Sequence, residues 1–83
     1  MAYKRDEIEK KVVEVMAKML HRDEGDIRLE STLADDLEMD SFTALEMLFE
    51  LEDQYGLEIP DEEIEHFKTV QDIVTYIAAR LEE

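Results

Sequence analysis

Apolar side chains recur at three- and four-residue steps along most of this sequence, a spacing that suits packed helices and little else. From Tyr3 to Leu20, the residues Ile8, Val12, Val15, Met16, Met19 and Leu20 fall on one helical face. The stretch DSFTALEMLFELEDQYG, residues 40–56, repeats the pattern with Phe42, Leu45, Leu48, Phe49 and Leu51 facing inward. Gly56 stands where a helix C-terminus often needs a left-handed residue. Pro60 followed by DEEIEHF opens a short third helix, acidic in its first turn as the helix dipole prefers, with Ile64 and Phe67 turned inward. Thr69 and Asp72 form a capping pair ahead of Val70, Ile73, Val74, Ile77 and Leu81 in a fourth helix. No segment alternates apolar and polar residues between turn signals, so no sheet is expected. The fold class is therefore all-α: a small four-helix bundle with three long helices and one short third helix.

Residues 21–40 form a connection between the first two helices that is far longer than usual, which marks it as functional or wrongly assigned. Ile27, Leu29, Leu33 and Leu37 punctuate it and should pin it to the core. At 83 residues the chain has room for one compact core, so residues 1–83 are read as a single domain. A domain of this size is stable by roughly 4–12 kcal/mol, little enough for surface charge to matter.

That charge is segregated. Residues 1–22 hold six basic and four acidic side chains, a surplus of two positives, while the formal net charge of the whole chain is −15. Between Arg28 and Lys68 there is no Lys or Arg, yet the interval holds fourteen carboxylates from Glu30 to Glu65. Such a chain repels nucleic acid and anionic lipid, favours a monomer, and has basic proteins as its natural partners. Cysteine is absent, which excludes disulfides, thiolate nucleophiles and cysteine-based zinc sites. No apolar run approaches a membrane-spanning length, and the charged start MAYKRDEIEKKVV is unlike a signal peptide, so a cytoplasmic location is expected.

Asp40-Ser41 stands where the long loop becomes the second helix, with Asp40 suited to the N-cap and Ser41 to the first helical position. A side chain there is exposed beside unpaired backbone N–H groups and about half a positive charge, surroundings that welcome a phosphate. Taken alone, the pair is in most sequences no more than an ordinary helix start.

The wider sequence is more specific. LADDLEMDSF (33–42), ALEMLFELEDQYGLEIPDEE (44–63) and KTVQDIVTYI (68–77), in that order, resemble the acyl carrier proteins, and the resemblance runs from about Glu7 to Leu81. It implies a non-catalytic carrier in which Ser41 is the attachment point for a 4′-phosphopantetheine arm, delivered from coenzyme A by a phosphopantetheinyl transferase. The terminal thiol of that arm would hold acyl intermediates as thioesters for fatty-acid, polyketide or related lipid biosynthesis enzymes. It further implies that Asp40, Glu46, Glu50, Glu52 and Asp53 on the second helix meet basic surfaces of the transferase and of acyl-handling enzymes. The spacing puts Glu46, Glu50 and Asp53 on one helical face. In the family the acyl chain is sheltered between helices two, three and four. The matching positions here are Leu37, Leu45, Leu51, Ile59, Ile64, Phe67, Ile73 and Tyr76. Sheltering requires a loosely held element, for which the short third helix is the natural choice.

Two positions depart from the family pattern. Glu38 replaces a usual Gly two residues before the Asp, and Phe42 follows the serine in place of the common Leu. Asp-Ser-Phe also suits a D-alanyl carrier, peptidyl carriers share the class, and an unmodified acidic adaptor would explain the core and charge without any cofactor. Enzyme signatures are missing: there is no Gly-x-Ser-x-Gly elbow and no P-loop, and His21 and His66 lie far apart without a triad partner. Glu63-x-x-His66 has the spacing of half a di-metal site in a single copy, and an EF-hand starting at Asp35 would place Leu37 and Met39 at ligand positions. No metal site is expected.

Overall fold

In the computed structural model, which describes residues 4–81, the chain folds into three α-helices and two short 3-10 helices. The first helix, α1, spans Arg5–Leu20; Tyr3, its expected first residue, lies outside the described residues. It ends at His21, which adopts the left-handed conformation (φ 57°) and donates its N–H to the Ala17 carbonyl. A 3-10 turn at Glu24–Asp26 begins the long connection. Helix α2 spans Ser41–Tyr55 and stops at Gly56, whose φ of 64° is the value for which glycine is suited there. The expected short third helix is a six-residue 3-10 helix, Asp61–His66, and the expected fourth is α3, Val70–Leu81. Thr69 caps α3 reciprocally with Asp72: the Thr69 N–H donates to Asp72 Oδ2 at 3.0 Å and the Asp72 N–H to Thr69 Oγ1 at 3.3 Å.

The core forms where Ile8, Val12 and Met16 of α1 meet Met47, Leu48 and Leu51 of α2 and Val70, Ile73, Val74 and Ile77 of α3. Helix α2 departs from the expected pattern. Phe42 and Phe49 remain 69% and 56% exposed, and Leu45 is only half-buried. The inward positions belong to Ala44, Met47, Leu48 and Leu51. The sequence of α2 contains two apolar stripes at helical spacing, and a helix lying on two others can bury only one of them.

The long connection is fixed by backbone pairing. Ile27, Leu33, Leu37 and Met39 are buried and Leu29 is half-buried against the core. The Leu33 N–H donates to the Lys68 carbonyl at 2.9 Å, Val70 to Ser31 at 3.1 Å and Gln71 to Leu29 at 2.9 Å. This pairing includes an isolated antiparallel bridge between Thr32 and Thr69, and no strand is present among the described residues. A tight turn follows, in which the Thr32 N–H donates to Asp36 Oδ2 and the Asp36 N–H to Thr32 Oγ1, both at 2.9 Å. Met39 then donates to the Leu33 carbonyl at 2.9 Å, which delivers the chain to α2. Among the described residues no helix is long and apolar enough to cross a membrane.

Glu38 occupies the left-handed region with φ of 54°. The turn before α2 therefore does need the conformation that glycine adopts freely, and Glu38 adopts it against the steric preference of an L side chain. Glu38→Gly should raise stability by up to about 1 kcal/mol, since relief of that strain outweighs the added freedom of the unfolded chain. Leu48→Ala, by contrast, should cost about 2–5 kcal/mol at its fully buried position. Urea midpoints of the two variants against the parent check both signs.

Candidate functional site

Asp40 is the N-cap of α2, in extended conformation, with its Oδ1 accepting the Thr43 N–H at 2.8 Å. Its carboxyl is held below the usual Asp range, chiefly by the Thr43 backbone N–H and then by the Thr43 hydroxyl. Ser41 is the first helical residue and is exposed, and its hydroxyl makes no hydrogen bond among the described residues. The oxygen stands at the positive end of a fifteen-residue helix that has no acidic residue in its first turn.

Ser41 opens onto a cleft of about 350 Å³ between α2, the turn at residues 32–39 and the second 3-10 helix. Leu33, Met39, Ala44, Met47, Ile64 and Phe67 supply its apolar surface, and Thr32, Asp35, Asp40 and Lys68 its polar groups. Phe67 is backed by Tyr76 in an edge-to-face contact, ring centroids 5.4 Å apart. Tyr76 is held in turn by Arg80, which donates to the Tyr76 hydroxyl at 2.9 Å and to the Glu58 carbonyl at 3.0 Å.

Of the eight residues expected to shelter an acyl chain, Ile64 and Phe67 line this cleft. Leu37, Leu51, Ile59 and Ile73 are buried in the core, while Leu45 and Tyr76 are half-buried outside the cleft surface. The lining that sequence reasoning missed comprises Leu33, Met39, Ala44 and Met47. Ala44 and Met47 were within reach, being one and two turns along the helix from Ser41; Leu33 and Met39 depend on the return of the loop, which leaves no periodic signal.

The carboxylates of α2 divide into two groups. Glu46 and Asp53 are exposed. Glu50 is half-buried, accepts the Gln54 side-chain amide at 3.2 Å, and borders a groove toward Lys11 and Lys18 of α1. Glu52 faces the protein itself: its Oε2 accepts the Ile59 N–H at 2.7 Å and ties the end of α2 to the segment before the second 3-10 helix. Glu63 is half-buried and His66 exposed, and among the described residues no group of three or more His, Cys, Asp or Glu side chains is arranged to hold a metal ion.

The sequence family described as "Phosphopantetheine attachment site" matches residues 10–77. The chain is 40% identical over 75 residues to a protein of Rickettsia canadensis (strain McKiel) named "Acyl carrier protein", a match covering 90% of this chain and 87% of the relative. Proteins of the same name from Rickettsia typhi (strain Wilmington) and Rickettsia prowazekii (strain Madrid E) match with the same identity and coverage.

The two capping carboxylates set an acid limit. Asp72, like Asp40, is held below the ordinary carboxylate value of about 3.9, first by the Lys68 backbone N–H and then by that of Thr69. A depressed folded-state pKa contributes stability above the unfolded value and loses it as pH falls through the folded one. Urea midpoints should therefore keep the Asp72 contribution down to about pH 4 and lose it below. Asp72→Asn should be less stable than the parent at neutral pH, with the gap closing in that acid range.

Proposed function

The chain belongs to the acyl carrier protein family, and from that premise we propose that Ser41 carries its prosthetic arm. As a member it carries acyl groups on covalently attached 4′-phosphopantetheine and is a carrier rather than a catalyst. When bound, the arm supplies a thiol on which acyl groups are held as thioesters. The single observation that supports Ser41 is its exposed, unpartnered hydroxyl at the first position of α2, at the mouth of an apolar cleft.

The residues present suit that group. Asp40 fixes the helix start and hence the direction in which the Ser41 oxygen projects toward a phosphopantetheinyl transferase. The helix N-terminus favours a phosphodiester on that oxygen. The cleft offers apolar surface from Met39, Ala44, Met47, Ile64 and Phe67 to the arm and to the acyl group, excluding water from both. Glu46 and Asp53, with Glu50 beside them, present negative charge to basic surfaces of the transferase and of acyl-handling enzymes; Glu52 serves the fold. A net charge of −15 keeps copies apart as monomers in the cytoplasm.

Incubating the apo-protein with coenzyme A and a broad-specificity phosphopantetheinyl transferase should add the mass of one arm, and Ser41→Ala should add none. An unmodified parent would overturn the assignment. With the same transferase, the double reversal Glu46→Lys and Asp53→Lys should lower kcat/KM several-fold at low ionic strength, because exposed charges act mainly on encounter. The deficit should shrink as salt is added.

A further inference from the structure

Lys68 is the only Lys or Arg between Arg28 and Arg80, and it lines the same cleft as Ser41. Its backbone is fixed on both sides: the N–H donates to Asp72 Oδ2 at 2.9 Å and the carbonyl accepts the Leu33 N–H at 2.9 Å. Leu33 is bonded in turn to Met39, two residues before Ser41, so the root of the lysine and the start of α2 are linked through one loop residue. The ammonium itself makes no salt bridge or hydrogen bond among the described residues. Its charge reaches Asp72, whose carboxyl it helps to keep ionised, yet that carboxyl is already bonded to two backbone N–H groups.

A phosphodiester on Ser41 would meet an unfavourable rim. Asp35 and Asp40 line the cleft beside it, and both repel an anion. Lys68 is the one cationic side chain among the residues lining the cleft. Lysine binds phosphate as a point charge on a flexible stem, which suits a partner covalently held within reach and free to turn.

Resting on the Ser41 assignment, we infer that Lys68 is a positioning residue for the arm: its ammonium pairs with the Ser41-linked phosphodiester and biases the arm to lie along the apolar cleft. An exposed pair of this kind shifts the arm between cleft and solvent by a few-fold, so the arm stays available to partner enzymes.

The parent, Lys68→Gln and Lys68→Arg are each loaded with the arm, and mass spectrometry establishes loading before anything else is measured. The phosphorus NMR resonance of the loaded parent and of Lys68→Arg should be displaced and broadened relative to Lys68→Gln at low salt. The three should converge as sodium chloride is raised. In the parent alone, the Lys68 Cε and Hε resonances should move between the apo and loaded forms, which needs no variant. Normal loading with identical phosphorus resonances at low salt, or Lys68 signals indifferent to loading, overturns the role of Lys68 and leaves Ser41 standing. Failure of the folded parent to load overturns the Ser41 assignment and this inference with it.

Discussion

Three backbone hydrogen bonds, Leu33 to Lys68, Val70 to Ser31 and Gln71 to Leu29, join the middle of the long connection to the start of α3. Without them the twenty residues before α2 would lack a fixed course, since loops of that length carry many polar groups and little cooperative structure. With them, Leu33 is seated in the core and accepts the Met39 N–H, and the chain enters α2 at a set angle. The course on which the chain reaches Asp40 and Ser41 is thus set by residues at the start of the last helix. Capping completes the arrangement: Thr32 with Asp36, Asp40 with Thr43 and Thr69 with Asp72 fix the starts of the turn, of α2 and of α3 within one region of the molecule.

Helical periodicity made the long elements legible, because Ile8, Val12 and Met16, or Val70, Ile73, Val74 and Ile77, have only one face to bury. The start of α2 was legible for a chemical reason, since Asp-Ser ahead of an apolar run is a capping signal whatever follows. The orientation of α2 was not. Leu48 and Leu51 lie inward as their spacing predicts, but Phe42, Leu45 and Phe49 form as regular a stripe as Ala44 and Met47 on the face those leucines occupy. What decides is the geometry of the neighbours, as small Ala44 faces the cleft beside Ser41 and the long methionine Met47 adapts to the interior. The cleft itself was half legible: Ile64 and Phe67 come from a local helical pattern, whereas Leu33 and Met39 arrive through a backbone pairing that composition does not encode.

Charge follows the same division between local and distant causes. The block of carboxylates on and around α2 is plain in the sequence, but their tasks separate only in three dimensions. Glu52 and Asp72 accept backbone N–H groups and hold segments together, while Glu46 and Asp53 have water as their surroundings. A chain with an excess of negative charge gains by giving some of it structural hydrogen bonds, which lower the cost of the self-repulsion that the remainder creates.

Phe42 and Phe49, left in solvent on the outer side of α2, would ordinarily make a molecule prone to clumping. Here exposed Glu46 and Asp53 flank Phe49 at helical spacing, so two identical molecules approaching through that ridge must bring like charges together. The fold can therefore keep a greasy strip permanently on display in a concentrated solution of itself, with colloidal repulsion providing the protection that burial gives elsewhere.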